Sequence, residues 1–260
     1  MSHLQVTTPD DLAALCRQIA AARRVGFDTE FVSEDTFRPQ LCLVQVVTDE
    51  GMAVVDPLAV PDLTPLWNAL ADGDHVSICH AAREEINFSL TAINRPPARI
   101  FDTQLAAAFC SNEYPGAYGT VVSRILGKTP AKGEQRTDWR RRPLSPEQIK
   151  YALDDVRYLI PLFEELTARI ERLGRGSWFE EESNSFVEEV SNARSRQRWR
   201  KVSGIGNLAP RNLAIVRELW LWRQEEAERR DIPPRRVLRD DLIVELAKRK
   251  SSDVSKIRDL

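Results

Sequence analysis

The stretch VGFDTEF, residues 25–31, constrains the fold of this chain most strongly, because it sets two acids within an apolar run. Its apolar and aromatic residues predict a strand. Residues i and i+2 of a strand point the same way, so Asp28 and Glu30 present two carboxylates on one face. Like charges this close are unfavourable unless one is protonated or a cation lies between them. An ion pair with a nearby arginine is the alternative explanation.

The segments around this strand predict an α/β domain. Thr8-Pro9 begins a capped helix, and the apolar runs LCLVQVV and MAVVD predict two strands joined by the turn TDEG. A short helix over 62–71, a strand at HVSIC and a mostly helical remainder follow. Pro161 predicts a kink or break in the long helical segment after Ser145. Early antiparallel strands followed by alternating strand and helix indicate a mixed sheet flanked by helices.

Composition narrows the class of protein. With 260 residues, 42% of them hydrophobic, the chain can build one large domain or a domain and a smaller one. The net charge of −2 gives no overall sign of a nucleic-acid partner. No apolar run reaches the length of a membrane span, and the N-terminal residues lack a signal-peptide pattern. The four cysteines are scattered, which favours reduced thiols in a cytoplasmic protein.

A change in composition after Gly176 predicts two domains. An acidic stretch, SWFEEESNSFVEEVSN, is followed abruptly by the basic ARSRQRWRK. Beyond a glycine-bearing turn, the chain again has the periodicity of helices. We therefore predict a first domain over 1–175, a linker over 176–197 and a small all-α domain over 198–260.

Further acids stand far along the chain from the DTE stretch. Tyr151 and Asp155 are spaced i, i+4 and share one face of a predicted helix. Glu85 lies early in another predicted helix, where an acid also suits the helix N-terminus. Acids gathered from separate segments suit Mg²⁺ or Mn²⁺, which prefer oxygen ligands. A phenol with the ordinary pKa of about 10 stays neutral, so Tyr151 could orient a water but is a poor general base.

Several ordered motifs resemble the ribonuclease D family, the DEDD-type 3′–5′ exonucleases with a tyrosine in the third motif. The resemblance is carried by DTEF…PQLCLVQV, HAAREE, FDTQLAAAF and RTDWRRRPLSPEQIKYALDDVRYLIPL, and it spans about residues 4–170. It implies a ribonuclease H-like mixed sheet. Carried over by position, it assigns Asp28, Glu30, Tyr151 and Asp155 to the site. It departs at the second motif, where Glu85 stands in place of the usual aspartate.

What the resemblance implies is a metal-dependent 3′–5′ exoribonuclease of the cytoplasm that releases 5′-mononucleotides, as in the 3′ maturation of tRNA precursors. Asp28 would bridge two divalent cations, Mg²⁺ or Mn²⁺, with Glu30 and Asp155 completing one site. Glu85 would support the other, and Tyr151 would orient the attacking water. The alternatives are a DNA 3′–5′ exonuclease, or a weakened or non-catalytic nucleic-acid-binding homologue in which Glu85 marks decay of the site.

Basic residues near the predicted catalytic helix are candidates for holding the RNA strand. The segment RTDWRRRPL supplies Arg136, Arg140, Arg141 and Arg142, which could contact phosphates. The alternative is a solvated basic loop with Trp139 packed inward. Gln45 could contact a nucleotide, and a hydrogen bond within the core is the alternative.

The C-terminal region resembles the HRDC domain, a small helical nucleic-acid-binding module. The matching pattern W-R-x₃-A-x₃-D-x-P-x₃-V-L runs from Trp222 to Leu238. Compared with that module, the sequence stops before the last helix or helices, which leaves a truncated domain or a fragment as open explanations. Nothing in the sequence indicates the oligomeric state.

Overall fold

The computed structural model describes residues 3–111, 114–130, 137–193, 198–250 and 253. The chain divides into two compact units. The first comprises Met1–Phe31 and Leu41–Ala193, and the second comprises Val32–Gln40 and Arg194–Leu260. In the described part of the chain, no helix is both long and apolar enough to cross a bilayer.

The first unit is built on a six-stranded mixed sheet in the order β1-β4-β3-β2-β5-β6. The strands are β1 (Leu4–Val6), β2 (Arg24–Val32), β3 (Gln40–Thr48), β4 (Gly51–Val55), β5 (Val76–Cys79) and β6 (Ile100–Asp102). β3 and β4 pair antiparallel across the turn between Thr48 and Gly51, whereas β2–β5, β5–β6 and β1–β4 are parallel. The mixed sheet predicted from the sequence is therefore confirmed.

Helices cover both faces of this sheet. They are α1 (Pro9–Ala21), α2 (Thr64–Asp72), α3 (Arg83–Ile93), α4 (Thr103–Cys110), α5 (Tyr118–Leu126), α6 (Pro146–Arg157), α7 (Leu159–Arg172) and α8 (Gly176–Ala193). One hydrophobic cluster joins Val25 and Phe27 of β2 to α1, α2 and α3. The other joins Val47 of β3 to helices that include α4, α5 and α7. Alternation along β2 therefore directs Asp28 and Glu30 away from the first cluster.

Gly26 lets α7 approach the sheet next to the acids. A Cβ at this position would lie 2.6 Å from Cγ1 of Val47 and 3.0 Å from Cβ of Leu159. Any larger side chain would push β3 or the start of α7 away, because those neighbours are themselves buried. Gly26 and Asp28 share one face of β2, so this close packing also fixes the distance from the acids to α6 and α7.

Two features differ from the expectations set by the sequence. Residues 176–193 form α8, which belongs to the first unit, so most of the predicted linker is a packed helix. Its sequence is acidic, yet Phe179, Phe186 and Val190 recur at helical spacing and pack against the two clusters of the first unit. The edge strands β1 and β6 were not predicted, because three residues carry too little periodicity to be recognised.

The second unit is all helical in its described C-terminal part, as predicted. It contains a 3₁₀ helix (Arg198–Lys201), α9 (Pro210–Arg230), α10 (Pro234–Val237) and α11 (Asp240–Arg249). Val216, Ile243 and Ala247 form the centre of its core. The segment Val32–Gln40, which belongs to this unit, forms ion pairs with α9 and α10. They are Arg38–Glu228, at 2.5 Å, and Arg236–Asp35, at 2.8 Å. Nothing in the sequence pattern indicated that residues 32–40 group with helices so far along the chain.

Candidate active site

Three acids predicted for the site lie together on the face of the sheet that packs against α6 and α7. One carboxylate oxygen of each of Asp28, Glu30 and Asp155 lies within 4.8 Å of the other two. β2 supplies the first two acids and α6 supplies the third. Residues 125 positions apart are thus brought to one point by the packing of α6 and α7 on β2. No arginine or lysine ion pair to these three acids occurs among the described residues, so the ion-pair alternative has no support there.

Burial and mutual repulsion disfavour ionisation of this cluster. Burial raises the pKa of Glu30 to about 8, and repulsion from Asp155 and Glu85 adds to the shift. Burial also raises the pKa of Asp155 to about 7, against the opposing effect of a hydrogen bond from Tyr151. The pKa of Asp28 is raised well above its ordinary value, first by burial and then by the neighbouring acids. A cation among these oxygens would relieve that cost.

Glu85 lies beside this cluster but is held separately. It is buried near the start of α3, and Thr29 Oγ1 donates a 2.7 Å hydrogen bond to its Oε1. Thr29 points to the α3 side of the sheet, opposite to Asp28 and Glu30. Burial raises the pKa of Glu85 to about 7, although the hydrogen bond from Thr29 opposes the shift. Repulsion from Glu85 is the largest charge effect on Asp28, so the two carboxylates are electrostatic neighbours.

The helix that carries Tyr151 and Asp155 has a strong local start signal. Ser145 and Gln148 form a reciprocal capping box, with Pro146 in the first turn. Tyr151 is buried, and its ring lies 6.1 Å from that of the buried Trp139. The Tyr151 side chain also hydrogen-bonds Asp155, as expected for neighbours at i and i+4.

α6 and α7 are separated by a break in the backbone hydrogen bonds, which a side chain of α5 bridges. Pro161 lacks the N–H that would continue the ladder, and the helix is interrupted at Tyr158. Tyr118 of α5 donates from its hydroxyl to the carbonyl of Asp154 at 3.0 Å and accepts from the Tyr158 N–H at 3.3 Å. The hydroxyl therefore replaces the missing contact between residues 154 and 158, directly beside Asp155. Of the kink or break predicted from Pro161, the structure shows a break, but the sequence did not point to Tyr118.

Asp102 orders the loop that leads into α3. Its carboxylate caps α4 by accepting from the Gln104 N–H at 2.8 Å. It also accepts from the N–H groups of Ala81 and Ala82, at 2.9 and 3.0 Å. These bonds stabilise Ala81 in a left-handed conformation, with φ of 59°, at the start of the helix that carries Glu85. Asp102 is therefore a helix N-cap and not a member of the acid cluster.

His80, in the same loop, is held by a hydrogen bond at each ring nitrogen. Its Nε2 lies 3.0 Å from the carbonyl of Gly116, and its Nδ1 lies 2.9 Å from the hydroxyl of Thr103. Nε2 therefore carries the proton, and Nδ1 accepts from the hydroxyl. Burial lowers the pKa of His80, which favours this neutral form. Both ring nitrogens are occupied by structural hydrogen bonds.

The basic segment before α6 is anchored by Arg142, for which the sequence suggested only a contact with phosphate. Arg142 forms a bidentate pair with Asp56, at 2.6 and 2.7 Å, and donates to the carbonyl of Cys42 at 2.8 Å. Arg140 is bound to Asp138 at 2.8 Å. The side chain of Arg141 is 84% exposed and lies 3.8 Å from Asp138, so it is the better placed of the two to meet a phosphate. Arg136 lies outside the described residues.

Gln45 lies beside Asp28 but is closed to solvent. β2 and β3 are neighbours in the sheet, Arg24 pairs with Asp49, and a Cβ on Gly26 would meet Val47. This register sets Asp28 next to Gln45 on the same face. The side chain of Gln45 is 0% exposed, and its amide has no hydrogen-bond partner among the described residues. In this conformation it offers no surface to a nucleotide.

The donor set of the cluster fits a hard divalent cation. Its three close ligands are all carboxylate oxygens, the type that Mg²⁺ and Mn²⁺ prefer over nitrogen or sulfur. The raised pKa values fit the same interpretation, because the acids are held together at an electrostatic cost that a cation offsets.

Comparison with known proteins agrees with this geometry. The model of the 3′–5′ exonuclease family matches residues 4–171, and that of the HRDC domain matches residues 212–260. The fold and the acid cluster thus belong to a protein of the 3′–5′ exonuclease class. Ribonuclease D of Jannaschia sp. is 39% identical over 96% of this chain, and that of Nitrobacter hamburgensis is 36% identical over 93%. The crystal structure of Escherichia coli RNase D, described as an exoribonuclease involved in structured RNA processing, superposes with a TM-score of 0.90 at 31% identity. That match covers 100% of this chain and 69% of the other. The chain belongs to the ribonuclease D family.

These matches also show what the chain does not cover. It spans about two thirds of the length of the curated relatives, 66% of the Jannaschia protein and 64% of the Nitrobacter protein. The activity, substrate and partners of a whole protein of this family are therefore proposals for this chain.

Proposed function

We propose that the chain is a metal-dependent 3′–5′ exoribonuclease that removes 5′-mononucleotides from RNA 3′ ends. The observation that carries the proposal is the convergence of Asp28, Glu30 and Asp155 within 4.8 Å, with Glu85 as an electrostatic neighbour. Membership of the ribonuclease D family supports the same reaction. The four acids and Tyr151 are the residues to which we assign it.

The acids, Tyr151 and the arginines would have different roles in this reaction. Asp28, Glu30 and Asp155 would hold a divalent cation, Mg²⁺ or Mn²⁺, and Asp28 together with Glu85 would hold a second. Such cations supply Lewis acidity for hydrolysis of a phosphodiester. Tyr151 would orient the attacking water through its hydroxyl, which the hydrogen bond to Asp155 holds in place. The exposed Arg141 would attract the RNA backbone, together with Arg140 and Arg136.

Glu85 is compatible with an active site because its carboxylate is positioned by Thr29. The side chain is one methylene longer than the aspartate of the family pattern, and misplacement of a reacting group by about 1 Å can cost on the order of 10²-fold in rate. The 2.7 Å hydrogen bond fixes the longer side chain in one place. We therefore propose an active enzyme rather than a decayed one.

The decisive experiment measures mononucleotide release from a single-stranded RNA with a free 3′-OH in Mn²⁺. We expect wild type to shorten a 5′-labelled RNA one nucleotide at a time, and Asp28→Asn to be inactive. Glu181→Gln, which removes an exposed acid of α8, is the matched control and should retain activity. Equal rates for wild type and Asp28→Asn would refute the proposal.

The natural substrate follows from the same assignment. We propose RNA with an accessible 3′ end, such as a tRNA precursor, as the substrate, and the cytoplasm as the compartment. The absence of a disulfide among Cys16, Cys42, Cys79 and Cys110, all of them described in the structure, fits a reducing compartment. Acids and metal ions alone do not distinguish RNA from DNA, because they do not contact the 2′-hydroxyl. The rates of mononucleotide release from RNA and DNA oligonucleotides of the same sequence therefore test the assignment. Faster release from DNA would overturn the assignment to RNA.

A further inference from the structure

The side chain of Gln45 is buried within the first unit without a hydrogen-bond partner. It is 0% exposed, and neither Oε1 nor Nε2 has a partner among the described residues. A primary amide offers two N–H donors and a carbonyl acceptor, and an unpaired polar group away from water destabilises the fold. Such groups are rare in folded proteins, and each needs a physical explanation. The groups around Gln45 therefore indicate what its amide is held for.

The neighbours of Gln45 on β3 and β4 are apolar. Leu43 and Val47 flank it on the same face of β3, and both are buried. The residue of β4 that is paired with Gln45 is Val54, which is also buried. None of these three side chains can donate or accept a hydrogen bond. Within the sheet, a partner for the amide can thus come only from β2.

On the β2 side, Asp28 is the neighbour of Gln45 on the same face. Side chains directly opposite each other on adjacent antiparallel strands have Cβ atoms about 4.5–5.5 Å apart. A glutamine side chain is long enough to place its amide nitrogen against a carboxylate at that distance, and rotation about its side-chain bonds is sufficient. Glu30, the diagonal neighbour, lies further away, at about 7–8 Å. Asp28 is therefore the nearest acceptor in the sheet.

Asp28 is also the acid to which we assign contacts with both cations, so its orientation matters most. Its carboxylate accepts from the backbone N–H of Thr29, and no side chain in the described part of the protein donates to it. The other acids have side-chain donors, since Thr29 holds Glu85 and Tyr151 holds Asp155. Carboxylates that bind metal ions are usually fixed by a hydrogen bond of this kind.

We propose that Gln45 is a positioning residue for the metal site. When a divalent cation is bound, Nε2 of Gln45 donates to the carboxylate of Asp28 and fixes the orientation in which Asp28 holds the cation. The inference rests on the proposed function in that it takes Asp28 as a metal ligand. It goes further by assigning part of the metal affinity to a buried, uncharged side chain. This role needs no access to solvent, unlike a contact with a nucleotide.

The test compares Gln45→Met with Ser77→Ala in the full chain. Methionine is close to glutamine in length and volume but has no amide. Ser77 of β5 is the matched control, because it is also 0% exposed with an unpartnered hydroxyl, and its register partner is Val25 rather than an acid. Each substitution removes a buried polar group that has no partner in the metal-free protein. Neither should therefore lower the Tm in EDTA.

Mn²⁺ binding, measured by calorimetry, distinguishes the two variants. We expect Gln45→Met to bind Mn²⁺ on the order of 10- to 100-fold more weakly than wild type, and Ser77→Ala to retain wild-type affinity. The rate of RNA cleavage by Gln45→Met should be low at limiting Mn²⁺ and should recover as Mn²⁺ is raised, with KM for RNA unchanged. A large loss of Tm in EDTA, or a lost rate that excess Mn²⁺ does not recover, would indicate a purely structural role and overturn the proposal.

The side-chain amide of Gln45 also provides a measurement on wild type, which does not depend on the folding of a variant. Its ¹⁵N–¹H signals are followed by NMR while Mg²⁺, which is diamagnetic, is added. We expect one amide proton to shift downfield and its exchange with water to slow, because it becomes bonded to a carboxylate. Signals that are unchanged when Mg²⁺ saturates the site would overturn the proposal.

Failure of this inference can be distinguished from failure of the proposed function. A wild-type chain that binds neither Mn²⁺ nor Mg²⁺ and releases no mononucleotides would refute both, since Gln45 would have no bound cation to support. An active wild-type chain with the same Mn²⁺ affinity as Gln45→Met would refute this inference alone.

Discussion

The hydroxyl of Tyr118 donates a 3.0 Å hydrogen bond to the backbone carbonyl of Asp154, and so joins α5 to the helix that carries Asp155. The same oxygen accepts from the Tyr158 N–H at 3.3 Å, which bridges the break before Pro161. Tyr118→Phe would leave both backbone groups without this partner at the end of α6. We expect a loss of stability of about 1–3 kcal/mol and a lower kcat, since Asp155 would lose its fixed position. Urea unfolding and the RNA assay measure the two effects.

Tyr158→Phe is the matched control for this substitution. Among the described residues, none forms a hydrogen bond with the Tyr158 hydroxyl, so its removal should leave stability and kcat near those of wild type. If Tyr118→Phe retained wild-type kcat, the bridge would stabilise the fold without positioning the site.

Thr29 is expected to control the position of Glu85. Thr29→Val keeps the shape of the side chain but removes the donor of the 2.7 Å hydrogen bond. The longer acid would then lose its fixed orientation, and we expect kcat to fall on the order of 10²-fold with a smaller change in KM. Thr29→Ser keeps the hydroxyl and should recover most of the rate. Equal activity of the serine and valine variants would show that the hydrogen bond has no catalytic role.

The family pattern provides a complementary change at the same position. Glu85→Asp restores the usual residue but shortens the reach to Thr29. Because the Thr29 hydroxyl already holds the Glu85 carboxylate by a 2.7 Å hydrogen bond, we expect no large gain in rate from this substitution. A gain on the order of 10-fold or more would indicate that the native site is weakened by Glu85.

The buried acid cluster should make the stability of the metal-free protein depend on pH. Burial raises the pKa of Glu30 to about 8 and that of Asp155 to about 7, whereas unfolded carboxyl groups titrate near pH 4. The folded state therefore binds more protons than the unfolded state between these values. Protonated Glu30 and Asp155 therefore contribute to the stability of the folded state below about pH 4, and this contribution is lost as the pH rises to about 8. Thermal unfolding in EDTA from pH 5 to 8.5 should show the loss.

Glu30→Gln isolates the contribution of the cluster. Since the amide carries no charge, we expect the variant to have a higher Tm than wild type in EDTA at pH 8, but a similar Tm at pH 5. Mn²⁺ should raise the Tm of wild type more at pH 8 than at pH 6, because metal binding at pH 6 must displace protons. A Mn²⁺ effect of the same size at both pH values would contradict this account.

Arg142 is expected to anchor the segment that precedes α6 and so to stabilise the fold. Its guanidinium binds both oxygens of Asp56 and the carbonyl of Cys42, which a lysine cannot do simultaneously. Arg142→Lys should reduce stability by about 1.5–3 kcal/mol, measured by urea unfolding. Arg141→Lys, at an exposed position, should change stability by less than about 0.5 kcal/mol. Similar losses in the two variants would show that the bidentate pair does not anchor the segment.

Local sequence signals predicted much of the molecule. Strand alternation determined that Asp28 and Glu30 share a face, and the spacing of Tyr151 and Asp155 set them together on one helix. The helix starts at Thr8 and Ser145 were visible because each cap bonds only to residues next to it in sequence. The long-range convergence of these acids was inferred from family resemblance, since spacing alone does not give a distance between β2 and α6.

The tertiary structure decided how each group of the site is held. The Thr29–Glu85 bond, the Tyr118 bridge and the Arg142–Asp56 pair join residues separated by 56, 36 and 86 positions. The packing of α8 against the first unit likewise overrides its acidic, linker-like composition. The sequence by itself determined which acids share a face of a strand or helix, because periodicity is a local property of the backbone, and its family resemblance indicated which of them we propose for the site. Only the tertiary structure decided their partners and their pKa values, because burial and long-range contacts exist only once the elements have packed.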